Sequence, residues 1–262
     1  KLGIEQLNPM QEEALDIIDK NASVVILSPT GTGKTLAFLL PLLQQIDITL
    51  KEVQALILVP SRELAIQIEQ VAREMGSGYK INAVYGGRAF SKDKIELNQP
   101  PAILIGTPGR VGDHLRRQTF SVKHLQVLIL DEFDKSLETG FEEEMREIIG
   151  ALPHLRKRVL TSATQLEIIP QFAGVGKPVF INYLENSSSL LETRTISSPH
   201  KDKLDTLYKL IKSLGSEPGI IFCNYKETID EVHSFLRSQG LSLECFHGGM
   251  EQKDRERALI KF

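Results

Sequence analysis

Short continuous runs of β-branched and aliphatic residues recur along the chain at 24–27, 55–59, 102–105, 127–130 and 158–160, separated by longer stretches of mixed polarity. Hydrophobicity that is continuous rather than alternating fits strands covered on both faces, as in a parallel sheet. The stretches between them read as the helices that supply this cover. One opens at Gly33-Lys34-Thr35, and another runs through 61–68, with Ser61 after Pro60 as its N-cap. The pattern predicts an α/β fold built on a doubly wound parallel sheet. In such sheets ligands meet the loops that leave the carboxyl ends of the strands.

A polar, unpatterned stretch at 185–189 interrupts this rhythm, and a weaker one follows. It predicts a helix at 203–214, a strand at 219–223, a helix at 226–237 and a strand at 243–246. The expected organisation is a first domain at 1–184, a linker at 185–200 and a second domain at 201–262. That second domain is expected to be incomplete, because two or three strands are few for a sheet. The chain opens on Lys1 rather than Met and closes on Phe262 within a helical pattern, so both ends are expected to be cut.

Composition narrows the class without naming an activity. With 262 residues, 41% hydrophobic and 25% charged, the chain suits a soluble globular α/β protein of one large or two ordinary domains. No apolar run approaches the roughly 20 residues of a membrane span, and no signal-peptide core opens the chain, so a cytoplasmic protein with no membrane partner is expected. The net charge of −3 supplies no global basic field, and any nucleic-acid contact must come from local motifs. Cys223 and Cys245 fall in apolar runs and are expected as buried free thiols. His247, before two glycines, is not expected to serve as a metal ligand, since no set of partner ligands is recognised around it.

The chemistry-bearing segments sit where strands end. Ser28-Pro29-Thr30-Gly31-Thr32-Gly33-Lys34-Thr35 follows a strand and opens a helix, the context of a phosphate-cradling P-loop. Gly31 and Gly33 permit close backbone approach and positive φ, Lys34 reaches the β- and γ-phosphates, and Thr35 offers a hydroxyl to Mg²⁺. Ser28 stands where the strict motif has Gly. Asp131 and Glu132 close the strand at 127–130, placing one carboxylate for Mg²⁺ and one to orient or deprotonate a water. These two motifs describe an NTPase and no more.

Further segments extend the reading: Asn8-Pro9-Met10-Gln11 after Gly3-Ile4, Pro60-Ser61-Arg62-Glu63-Leu64-Ala65, Gly86-Gly87, Thr107-Pro108-Gly109-Arg110, Asp131-Glu132-Phe133-Asp134 and Ser162-Ala163-Thr164. In this order they resemble the motifs of DEAD-box RNA helicases. Ile220-Ile221-Phe222-Cys223-Asn224 and the segment from His247-Gly248-Gly249 through Gln252 and Arg255 are similar to the opening of that family's second RecA-like domain.

The resemblance implies two RecA-like domains, ATP and Mg²⁺ as cofactors, and RNA as partner. It implies that Gln11 reads the adenine edge, that Thr30, Gly31, Thr32, Gly33, Lys34 and Thr35 hold the phosphates, and that Asp131 and Glu132 serve hydrolysis. Ser162 and Thr164 would couple nucleotide to RNA, and Pro60, Arg62, Gly86, Gly87, Thr107 and Arg110 would meet the RNA sugar-phosphate backbone. Phe133 stands where the family has Ala, a bulky ring that must pack somewhere and that would disturb coupling if overpacking moved the carboxylates. The family's arginine-rich segment of the second domain is absent, so this chain alone is expected to bind nucleotide but hydrolyse it poorly. A weakly hydrolysing ATP-gated RNA clamp and a DNA-directed helicase of the same superfamily stay open as alternatives.

Overall fold

The computed structural model describes residues 3, 6–76, 78–185, 192–215 and 217–261. The chain divides into two compact units, Lys1–Ser188 and Ser189–Phe262. In the first unit α1 (Pro9–Lys20) leads into β1 (Ser23–Leu27), α2 (Lys34–Gln45), β2 (Ala55–Leu58), α3 (Arg62–Glu74) and β3 (Ile81–Val84). There follow α4 (Phe90–Leu97), β4 (Ile103–Gly106), α5 (Pro108–Arg116), β5 (Val127–Leu130), α6 (Phe133–Glu138), α7 (Glu142–Gly150), β6 (Lys157–Ser162) and β7 (Val179–Asn182).

All seven strands pair in parallel, in the order β3-β4-β2-β5-β6-β1-β7. The five runs read from sequence are β1, β2, β4, β5 and β6. Their continuous hydrophobicity serves two cores at once. Val24, Ile26, Ala55, Ile57, Val127 and Ile129 face the cluster packed with α1, α2 and α3. Val25, Leu27, Leu56, Leu58, Leu128 and Leu130 face the other cluster, with Val111, Phe133, Met145 and Ile148 from α5, α6 and α7. Ser61 caps α3 as expected, its hydroxyl accepting from the Leu64 amide at 3.2 Å.

The sheet order has one functional consequence. The carboxyl ends of β5, β6 and β1 are adjacent, and those of β3, β4 and β2 continue the same edge. Every motif of the first unit after Gln11 leaves the sheet along this one edge.

The second unit differs from expectation. Its described residues form α8 (Leu204–Leu214), α9 (Lys226–Ser238) and α10 (Gln252–Lys261), with no strand among them. The expected strands at 219–223 and 243–246 find no ladder partner among the described residues, and an extended segment becomes a strand only when neighbours take its amides and carbonyls. Phe222 is accordingly 90% exposed, and Cys223 and Cys245 are half-buried rather than buried. Tyr208 of α8 meets Phe235 of α9 edge to face at 6.4 Å, and Leu236 of α9 is buried. Residues 186–191, within the expected linker, and Ile4 lie outside the described residues. No helix among the described residues is long and apolar enough to cross a membrane.

Candidate functional site

The loop between β1 and α2 is held by its own side chains. Gly31 and Gly33 both take positive φ, +80° and +87°. The Ser28 and Thr32 hydroxyls lie 2.7 Å apart, and Thr32 Oγ1 donates to the Pro29 carbonyl at 2.8 Å. Ser28, which departs from the strict motif, thus becomes part of the loop's internal bonding. Lys34 folds back into the loop, its Nζ donating to the carbonyls of Ser28 at 2.5 Å and Pro29 at 2.9 Å. Burial pulls its ammonium pKa below the ordinary value, against the raising influence of Asp131, Glu132 and Asp134. Thr30 and Gly31 are exposed at the loop tip, and Thr35 is half-buried on the first turn of α2.

Helix α1 locks onto this loop. Asn8 and Gln11 form a reciprocal capping box: the Gln11 amide donates to Asn8 Oδ1 and the Asn8 amide to Gln11 Oε1, both at 3.0 Å. Asn8 Nδ2 then donates to the Thr32 carbonyl at 2.9 Å, and Gln11 Nε2 to the Gly33 carbonyl at 3.2 Å. Gln11, expected to read an adenine edge, is 5% exposed and uses both ends of its amide to tie helix to loop. An alanine at Gly33 would carry its Cβ 2.4 Å from Gln11 Nε2 at a φ that L residues avoid. Gly33→Ala is therefore expected to weaken nucleotide affinity about tenfold, from strain of roughly 1–3 kcal/mol. Titration of a fluorescent nucleotide checks this, with wild-type affinity counting against the locked-loop account.

The carboxylates stand beside the loop. Asp131 is buried at the end of β5, where its Oδ1 accepts from Thr161 Oγ1 at 2.5 Å. Glu132 turns the chain into α6 in the left-handed region, φ 48°, and its amide donates to the same Thr161 hydroxyl at 3.1 Å. Burial raises the carboxyl pKa of both, and the charge of Asp131 adds to the rise at Glu132. Thr164 Oγ1 donates to Asp134 Oδ2 at 2.9 Å, and the Ser162 hydroxyl donates to the Thr164 carbonyl at 2.7 Å. The Ser162 carbonyl in turn accepts from the Ser28 amide at 3.1 Å, joining β6 to the loop.

Along the other half of the edge, the Arg62 guanidinium lies against Gly86 and Gly87, and a Cβ at Gly87 would fall 2.5 Å from it. Pro60, half-buried, precedes α3 at the end of β2, and Thr107, buried, is the N-cap residue of α5. Arg110 is turned inward: its Nε donates to Asp93 Oδ2 at 2.7 Å and its Nη2 to the Arg88 carbonyl at 2.9 Å. Asp93 is fully buried and also pairs with Arg88 at 2.9 Å and His114 at 3.2 Å. Burial would push its carboxyl up, but hydrogen bonds from His114 and Arg110 hold it below the usual range. Phe90 stacks on His114 at 4.3 Å with Arg110 and Arg117 against its ring.

In the second unit, Asp230, Cys245 and His247 bring one donor atom each within 4.8 Å of the others. The Gly249 amide donates to His247 Nδ1 at 3.2 Å, and His247 Nε2 lies 3.4 Å from Asp230 Oδ1, so the fold gathers three donors that the sequence reading did not bring together.

Sequence reasoning missed Asn8, Thr161 and the Asp93 group as functional elements. A signal existed for Asn8, since Asn-x-x-Gln before a helical run is a capping pattern. One existed for Thr161 too, a hydroxyl where a buried strand wants an aliphatic residue. Asp93 gave none, because its partners Arg110 and His114 lie 17 and 21 residues away.

The family model described as DEAD/DEAH box helicase matches residues 8–169, and the one described as helicase conserved C-terminal domain matches 202–262. The chain is 34% identical to the ATP-dependent RNA helicase CshA of Listeria monocytogenes, over all of this chain and 52% of that protein. It is also 34% identical to the ATP-dependent RNA helicase DbpA of Escherichia coli, over all of this chain and 59% of that one. The chain thus spans little more than half the length of these curated relatives. Among solved structures, Saccharomyces cerevisiae Dbp5 bound to RNA and ADP BeF3 matches with a TM-score of 0.87 at 27% identity, over 99% of this chain and 68% of that one. On the extent of the family match and the motifs along one sheet edge, this chain belongs to the DEAD/DEAH box helicase family.

Proposed function

We propose that the chain carries the nucleotide-binding and RNA-contacting core of an ATP-dependent RNA helicase, an RNA-dependent ATPase that opens or remodels RNA duplexes. The observation that supports this best is the sheet order, which sets the loops of β5, β6 and β1 beside those of β3, β4 and β2. A triphosphate at the first group and a strand backbone at the second would share one scaffold. In this reading 1–184 form the first RecA-like domain, 185–200 the linker and 201–262 the opening of a second. ATP-driven closure of the two domains would bend one RNA strand away from its complement.

The residues divide the work. Lys34 and the amides of 30–35 bind the phosphates, Gln11 and Asn8 set the loop's shape, and Glu132 orients or deprotonates the attacking water. Thr164, through Asp134, couples the nucleotide side to the RNA side. Arg62, Gly86, Gly87 and the amino end of α5 at Thr107 meet the RNA backbone, while Arg110 and Asp93 brace that surface. Thr35 and Asp131 offer hard oxygen donors beside Lys34, a set that fits Mg²⁺. When bound, that ion neutralises phosphate charge; the protein's own groups provide orientation and proton transfer.

The test is steady-state ATP hydrolysis by the full-length protein with no nucleic acid, with single-stranded RNA and with DNA of the same sequence. Stimulation by RNA and not by DNA is expected, since the 2′-hydroxyl distinguishes them. Equal stimulation by both would move the protein to the DNA-directed alternative.

A further inference from the structure

We propose that Thr161 is a positioning residue for hydrolysis, holding the Asp131 carboxylate and the Glu132 backbone in one arrangement; the proposal rests on the ATPase reading above. Thr161 is fully buried near the end of β6, one residue beyond the Leu130 and Leu160 pair of the β5–β6 ladder. Its Oγ1 donates to Asp131 Oδ1 at 2.5 Å and accepts from the Glu132 amide at 3.1 Å. An amide can only donate and an ionised carboxylate can only accept, so this hydroxyl has one rotor setting that satisfies both.

Two features separate this from strand filling. Glu132 sits in the left-handed region at φ 48°, which a residue with a side chain holds only where its surroundings fix it. Thr161 supplies such a fixture at the amide. Asp131 shares the influence of Lys34 with Glu132 and Asp134, so its orientation bears on how that cation is divided among the carboxylates. A residue that merely fills β6 would be replaced without loss by valine, which has the same branched shape and a higher apolar content. A positioning residue would not.

The experiment compares Thr161→Val with Thr161→Ser in the full-length protein, reading kcat and KM for single-stranded RNA. It also reads ADP affinity with and without Mg²⁺. Losing one charge-assisted bond should lower kcat by about ten- to a hundredfold in Thr161→Val, with KM for RNA little changed. Thr161→Ser keeps the hydroxyl and should recover most of the rate. The gain in ADP affinity on adding Mg²⁺ should shrink in the valine variant and persist in the serine variant. Wild-type kcat in Thr161→Val, or equal impairment of both variants, overturns the proposal. Should Thr161→Val fail to fold, Thr161→Cys replaces it, keeping the volume with a poor donor: wild-type kcat there overturns the idea, and a loss that Thr161→Ser lacks supports it. If the wild-type protein shows no RNA-stimulated turnover, the functional reading fails by itself. The Mg²⁺ effect on ADP affinity then decides the role of Thr161 alone.

Discussion

Replacing Glu132 by Gln is expected to lower RNA-stimulated ATP turnover by the full-length protein by about 10²–10⁴-fold, the range for removal of a positioned acid–base group. Glutamine has the same length and planar end group, so packing around α6 and the turn at φ 48° is preserved. It cannot accept a proton at neutral pH. Burial and the neighbouring Asp131 already raise the carboxyl pKa of Glu132, which makes it a better base than an exposed carboxylate. On the proposed reading, affinity for nucleotide rests on Lys34 and the loop amides, whose hydrogen bonds do not involve the Glu132 side chain. Steady-state turnover and a fluorescent-nucleotide titration on one sample separate the effects. Loss of turnover with affinity retained assigns Glu132 to the chemical step, whereas loss of both points to a distorted loop.

The second large effect is on stability. Phe133→Ala should destabilise the first unit by about 3–5 kcal/mol, the cost of removing a buried aromatic side chain and leaving its cavity. The bulky ring has a place: Phe133 is fully buried and packs in the cluster with Leu130, Met145 and Ile148. Its ring lies 6.2 Å from that of Phe172 at 53°, and Arg146 covers the Phe172 ring at 4.9 Å. Phe133 is thus an anchor between Glu132 and Asp134, two carboxylates whose directions depend on where α6 begins. Chemical denaturation followed by circular dichroism measures the loss; a change below about 1 kcal/mol would mean that the pocket collapses around the smaller side chain.

Much of the first unit was legible because most of its strands are buried on both faces, so each carries a continuous aliphatic run. The two strands that escaped notice break that rule. β3 includes Asn82, and β7 lies at the sheet edge with Phe180 half exposed. The second unit misled for the opposite reason, since the apolar run at 219–223 has the composition of a strand but no neighbour to pair with among the described residues. At the site, sequence pointed to groups defined by local motifs, such as Lys34 and Asp131. It could not reveal that Gln11 spends both ends of its amide on Asn8 and Gly33, or that Arg110 turns toward Asp93. Those depend on contacts across the fold that a linear pattern does not contain.

The folded-back Lys34 also bears on selectivity among nucleotides. Because Nζ is already bonded to the carbonyls of Ser28 and Pro29, a ligand does not simply add to the loop; it exchanges with it. On the proposed reading, a polyphosphate chain, presenting several oxygens to the lysine and the loop amides together, should offset the loss of these bonds better than a single phosphate. Affinity should therefore rise with the number of phosphates before any contact with a base is made.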